Sequence, residues 1–185
     1  MRKLLKITSR VSSVTNSFVQ AIIPHIEPSD EERAEALNVL GQAALEGMLE
    51  CVYCGAPASD WDHFRPLVKN RRPTGYIHEV RNLVPSCGTC NQSKSGHDWH
   101  VWLVGNAKGS PKSRGVKDIP QRMERLSAFE AWGDVRPLDL EALAGRELWN
   151  AYWDHLKEIE QRMVAAQVEA ERVQSAIRRS LEPKR

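Results

Sequence analysis

The chain has 185 residues, 41% hydrophobic and 27% charged, with a net charge of +2. That balance suits one soluble domain of ordinary size, or a small core with additions. No stretch approaches the roughly 20 apolar residues of a membrane helix. The basic start Met1-Arg2-Lys3-Leu4-Leu5-Lys6 is interrupted by Lys6 before an apolar signal-peptide core can form, so a cytoplasmic protein without membrane association is expected.

The N-terminal third reads as helical. Val11 to Ile23 predicts one helix, stopped near Pro24. Ser29-Asp30-Glu31-Glu32 has the form of a capping box, with Ser29 as the cap and Glu32 three residues on. Ala34, Leu37, Leu40, Ala44 and Met48 then follow at helical spacing and carry a second helix to the first cysteine pair.

All four cysteines lie between positions 51 and 90, as Cys51-x-x-Cys54 and Cys87-x-x-Cys90. In a cytosolic chain disulfides are disfavoured, and this spacing lets both thiolates of a pair reach one tetrahedral ion. Structural zinc is therefore preferred over free core thiols. Gly55 permits a tight turn behind the metal. Ser59 to Phe64 predicts a short strand, Val68 to Gly75 a basic loop, and Asn82-Leu83-Val84-Pro85 an extended lead into the second pair. A helix beginning at that pair is expected to carry Asn91, Ser93, Lys94 and Trp99, with Trp99 and Trp102 packing into the core.

Asn106 to Lys117, rich in Gly, Ser and Lys, predicts a mobile loop. Ile119 to Trp132 predicts a helix, and a long helical run follows from about Leu138 to Leu181. In that run Trp149, Tyr152, Leu156, Ile159, Met163, Ala166, Ala170, Val173 and Ile177 alternate spacings of three and four, the pattern of a heptad seam. Two readings stand: the helix folds back on the N-terminal helices, or it forms a coiled coil between two copies. The persistence of the seam favours a homodimer. The expected organisation is an N-terminal helical region (1–50), a zinc-stapled core (51–104), a basic loop and helix (105–137) and the long C-terminal helix (138–185).

Charge is clustered. The segment from Glu27 to Glu50 is acidic, while Arg65, Lys69, Arg71, Arg72 and Arg81 form one basic stretch. Lys108, Lys112, Arg114, Lys117, Arg122 and Arg125 form another. Such clusters meet phosphates, or are simply solvated loops. Lys69, Arg71, Arg72, Lys112 and Arg114, with Lys94 from the helix, are the expected nucleic-acid contacts.

Asp62-His63 with Pro66, then Asn82-Leu83-Val84-Pro85, then Cys87-x-x-Cys90-Asn91-x-x-Lys94, preceded by Cys51-x-x-Cys54, resembles the zinc-containing branch of the HNH endonucleases of the ββα-metal class. The resemblance covers about Cys51 to Trp102, and its third letter is Asn91. It implies a ββα-metal core stapled by zinc; with the helices read from capping and periodicity on either side, the expected fold is α+β, mainly α, with N-terminal helices and a long C-terminal helix.

The chemistry can be argued from the residues. Water attacks an anionic phosphodiester slowly, so a nuclease needs a base for the water and a cation for the developing charge. His63, with an ordinary pKa of about 6.5, accepts a proton near neutrality. Asp62 offers a hard oxygen and Asn91 a neutral one, which suits Mg²⁺ or Mn²⁺. Strand neighbours point to opposite faces, so Asp62 and His63 serve one site only where the strand bends or ends. The resemblance implies the same roles, with Asn82 bracing the hairpin and the base within the catalytic set. The zinc and the catalytic ion are expected to be distinct, because a four-thiolate site is closed. His78, in the basic insertion, reads as a surface residue. His97 and His100 fall at no family position.

The leading expectation is an endonuclease that hydrolyses DNA, double-stranded in particular, leaving 5′-phosphate and 3′-hydroxyl ends. A dimer with two sites fits a restriction or defence nuclease, and a monomer a nickase or phage-associated HNH protein. The alternatives are a zinc-stabilised DNA-binding module without catalysis, a nuclease directed at RNA, and a component of a larger complex.

Overall fold

The computed structural model describes residues 5–42 and 48–181. A 3-10 turn (Ile7–Arg10) leads into α1 (Val11–Ile22), followed by α2 (Asp30–Val39), β1 (Asp60–His63), β2 (Val68–Lys69) and β3 (Arg72–Pro73). A second 3-10 turn (Val80–Asn82) precedes β4 (Leu83–Ser86), α3 (Gly88–Lys94), α4 (Trp99–Leu103), α5 (Ile119–Gly133), α6 (Leu140–Ala144) and α7 (Arg146–Leu181). The protein is mainly helical with small sheets, the expected class. Its described residues form two compact units: those up to Ala21 together with those from Asp139 on, and Ile22–Leu138.

In the second unit, α2 starts on the expected capping box. Ser29 Oγ accepts from the Glu32 N–H (3.2 Å), and the Ser29 N–H donates to Glu32 Oε2 (2.9 Å). The helix ends sooner than the apolar spacing predicted. Gly41 adopts φ 68°, and the Gln42 N–H reaches back to Leu37 O (2.9 Å) while the Gly41 N–H reaches Asn38 O (2.9 Å). This pair of bonds around a left-handed residue stops a helix. Of the two residues expected to extend the stripe, Met48 is 88% exposed and Ala44 lies outside the described residues.

β1 and β4 pair antiparallel, with Asp60 opposite Ser86 and His63 opposite Leu83. The stretch expected as a basic loop contains a second hairpin, β2–β3, in which Lys69 faces Arg72. Its two turn residues, Asn70 and Arg71, have φ of 51° and 64°, the conformation of a two-residue hairpin turn that usually recruits glycine. Without a glycine, the sequence carried only half of that signal.

α3 stops at Ser95, which turns with φ 47°, and Trp99 belongs to the separate α4, capped by the Asp98 carboxylate. Tyr53, Phe64, Trp99, Trp102, Leu103, Leu126 and Phe129 build the core beneath the hairpin. The Tyr53 and Trp102 rings meet edge to face, as do those of Phe64 and Phe129. The predicted mobile loop is instead a tight series of turns. Ser110 is fully buried, and its hydroxyl donates to Gly105 O (2.7 Å) and accepts from the Ser113 N–H (3.2 Å).

In the other unit, Gly145 (φ 84°) breaks the long run predicted from Leu138 into α6 and α7. The N-terminal segment lies antiparallel along the first half of α7. Tyr152 Oη donates to Phe18 O (2.9 Å), Thr15 Oγ1 to Glu160 Oε1 (3.5 Å) and the Ile7 N–H to Gln167 Oε1 (2.7 Å). Trp153 and Leu156 are buried, whereas Val173 and Ile177, late in the predicted seam, are more than half exposed. Fold-back thus covers part of the stripe, around Tyr152 and Leu156, while Ile159 remains 40% exposed. Among the described residues no helix is long and apolar enough to cross a membrane.

Candidate active site

The β1–β4 hairpin presents a cluster of sulfurs near one end and a cluster of imidazoles near the other. At the sulfur end, Cys51, Cys54, Cys87 and Cys90 place their Sγ atoms within 4.8 Å of one another, and Cys54 and Cys87 are 3.7 Å apart. Four thiolates at about 2.3 Å from a tetrahedral Zn²⁺ sit about 3.8 Å from each other, close to the Cys54–Cys87 separation, so the set could hold such an ion. It is the one group of three or more metal-ligating side chains among the described residues. The crowded thiols disturb one another. Their mutual hydrogen bonds push Cys51 up to about 11, raise Cys90 and hold Cys54 low.

Two arginines serve this clamp. Arg114 Nη1 donates to Cys90 Sγ (3.2 Å), placing a positive charge beside a set of thiolates that exceeds the charge of one Zn²⁺. Arg122, buried and paired with Asp118 (2.6 Å), donates to Cys51 O (3.3 Å) and Val52 O (3.2 Å). Gly55 makes room for it: a Cβ there would lie 2.6 Å from Arg122 Nη2. In sequence both arginines belong to the second basic stretch, whose charges could meet phosphates. The structure engages Arg114 with a cysteine and encloses Arg122. Clustering of charge in sequence could not distinguish these uses.

At the other end, His63 is the last residue of β1, the place where neighbouring side chains can serve one site. Its ring is half-buried, and Nε2 lies 2.7 Å from His78 Nδ1. Burial, with His78 and Lys94 adding to it, lowers its pKa to about 4, so the ring is neutral at ordinary pH. Asn82 is fully buried. Its Oδ1 accepts from the Arg65 N–H (2.7 Å), and its Nδ2 donates to Arg65 O (3.1 Å) and Ile77 O (3.2 Å). One amide therefore ties down the backbone just beyond His63 and just before His78. His78, expected at the surface, is half-buried against His63, which no local sequence signal announced.

Asp62 and Lys94 depart most from expectation. Asp62 is 4% exposed, and its Oδ2 accepts from Tyr53 Oη (2.7 Å) and Lys94 Nζ (2.9 Å). Burial raises the Asp62 carboxyl, against the pull of Lys94 and Tyr53. Lys94 is fully enclosed and also donates to His63 O (2.8 Å). It is not a phosphate contact, as the sequence reading had it; its ammonium lies inside the protein and holds β1 to α3. Asn91 stands half-buried on α3, one turn before Lys94. Lys69, Arg71, Arg72 and Lys112 are exposed. His97 and His100 are exposed as well, with His100 stacked on Trp99.

Residues 51–96 match the HNH endonuclease family. The CRISPR-associated endonuclease Cas9 of Corynebacterium diphtheriae is 33% identical over an alignment of 86 residues, covering 39% of this chain and 8% of that protein. The chain therefore corresponds to less than a tenth of that relative's length. No solved structure matches the chain. The family match begins at Cys51 and ends two residues after Lys94, taking in the clamp, both hairpins and α3 and none of the flanking long helices: residues 51–96 are an HNH endonuclease domain.

Proposed function

We propose that the chain hydrolyses DNA phosphodiester bonds with His63 as general base. The observation that carries this reading is a neutral, half-buried imidazole at the end of β1, its ring fixed through Nε2 and its backbone held by Lys94. A base must accept a proton at working pH and keep its lone pair aimed. His63 meets the first condition through burial and the second through its neighbours.

The family implies a divalent ion, and Asp62 and Asn91 are the residues that would hold it. Oδ2 of Asp62 is engaged by Tyr53 and Lys94, so its contribution would come from Oδ1, with Asn91 adding a neutral oxygen. Such an ion, Mg²⁺ or Mn²⁺, would offset the charge growing on the phosphate and leaving oxygen. The exposed turn at Lys69, Arg71 and Arg72, with Lys112, supplies positive charge for the backbone of a duplex. The exposed late seam of α7 offers a contact for a second copy, and two sites in a dimer would suit a restriction or defence nuclease.

The buried Asp62–Lys94 pair also favours a second reading, a zinc-stabilised DNA-binding module without catalysis, because it takes the main metal carboxylate into the core. Supercoiled plasmid incubated with Mg²⁺, Mn²⁺ or EDTA separates the two. Nicked or linear product that requires the ion and disappears in His63→Ala supports the nuclease. Binding without cutting under every ion supports the module. The ratio of nicked to linear product reports cut geometry, and sedimentation of wild type and Ile177→Glu reports the dimer.

A further inference from the structure

We propose that His78 is the positioning residue of the general base: by accepting a hydrogen bond from His63 Nε2, it fixes His63 in the tautomer whose Nδ1 lone pair is open to water. The inference rests on the reading of His63 as the base.

The two rings lie 4.6 Å apart between centroids, at 66°, with His63 Nε2 and His78 Nδ1 2.7 Å apart. One proton occupies that contact. If it sits on His63 Nε2, the neutral ring has its lone pair on Nδ1 and can take a proton there. If it sits on His78 Nδ1, the neutral His63 carries its own hydrogen on Nδ1 and cannot act as a base from that atom. The contact therefore selects between a competent and an incompetent imidazole. A fixed partner on one ring nitrogen sets the chemistry of the other.

The frame around the pair holds His78 for this task. The His78 N–H donates to Pro24 O (3.1 Å), and His78 O accepts from the Ile26 N–H (2.8 Å), a bridge that anchors the residue on both sides of its Cα. Asn82 fixes Ile77 O immediately before it and Arg65 two residues beyond His63. Burial lowers the pKa of His78, with His25 adding to the effect, which favours the neutral, accepting ring. In the reaction, water would give a proton to His63 Nδ1 as its oxygen forms the bond to phosphorus. The resulting imidazolium keeps its Nε2–H on His78 Nδ1, so its added charge is met by an acceptor already in place. The leaving 3′-oxygen departs with the electron pair of the broken P–O bond and takes its proton from solvent.

The test uses the full chain, supercoiled plasmid and Mg²⁺, comparing wild type, His78→Ala, His78→Asn and His63→Ala. Partners that orient a metal-bound histidine are worth about 10- to 100-fold, and the same range is expected for a partner that orients a base. The expected result is a single-turnover rate lowered by that factor in His78→Ala with DNA affinity within about twofold of wild type. Recovery to within about fivefold is expected in His78→Asn, whose Oδ1 can replace the accepting Nδ1. Ring ¹⁵N spectra of the uncut protein should show His63 protonated on Nε2 alone in wild type and as a mixture in His78→Ala. Full cutting by His78→Ala, or a His63 proton on Nδ1 in wild type, overturns the proposal. Full cutting by His63→Ala defeats the base reading instead, a result the spectra distinguish from failure of the pair. Should His78→Ala fail to fold, the wild-type spectrum and His78→Asn still decide.

Discussion

The two ends of the β1–β4 hairpin are held by different chemistry. Near Ser86 the chain is gathered by four sulfurs with Arg114 and Arg122 behind them. Near His63 it is gathered by hydrogen bonds from Asn82, Lys94 and His78. The first arrangement is a set of four thiols that could hold one ion. The second is satisfied by the protein alone. On the proposed reading, stability and chemistry are separated along one strand pair of four residues each: a metal at the sulfur end would hold the fold, and the imidazole end would supply the base.

The largest effect should come from breaking the sulfur end. Four thiols packed at these distances repel as thiolates without a cation, and structural zinc contributes about 10–16 kcal/mol of binding free energy to folding in small domains. Cys87→Ser, or prolonged treatment with a strong chelator, should abolish cooperative unfolding of residues 51–96 as well as cutting. Elemental analysis of the wild type should give one zinc per chain. A Cys87→Ser protein that contains no metal yet melts like wild type would remove zinc from the account.

Next in size is the buried Asp62–Lys94 pair, which belongs to the His63 end. Removing one partner leaves an uncompensated charge inside the protein, at about 3–5 kcal/mol. Lys94→Met should lower the urea midpoint accordingly, and Lys94→Met combined with Asp62→Leu should recover much of the loss, because matched apolar groups can replace a buried pair. Equal destabilisation by the single and double variants would show that Lys94 acts through its bond to His63 O rather than through Asp62.

These differences mark what was legible in the sequence. The clamp and capping box could be read because each is a local spacing with one geometric solution. The end of α2 at Gly41 and the break at Gly145 are also written locally, as glycines with positive φ, but the apolar period continues past each of them and masks the stop. The uses of Lys94, Arg114, Arg122 and His78 could not be read locally. Each depends on a partner at least twenty-four residues away, or fifteen for His78, and a charged or polar side chain has the same appearance in sequence whether it meets a phosphate, a sulfur or a buried carboxylate. The stripe on α7 was legible as apolar, but its cover was not: the N-terminal segment covers part of it, around Tyr152 and Leu156.

The smallest effect is expected from the part of the domain that neither end holds. The β2–β3 turn carries Lys69, Arg71 and Arg72 on exposed positions, and replacing all three with Ser should change the unfolding free energy by no more than about 0.5 kcal/mol per substitution. Its effect should appear in binding. Each phosphate neutralised by a side chain contributes about 0.9 to the slope of log K against log salt on duplex DNA. Loss of three such contacts should therefore flatten the slope by up to about 2.7. Lys94→Met, by contrast, should leave the slope unchanged in whatever fraction of the protein remains folded, because its ammonium faces the core. An unchanged slope in the triple variant would move the DNA path away from this turn and toward Lys112, the other exposed lysine of the expected set.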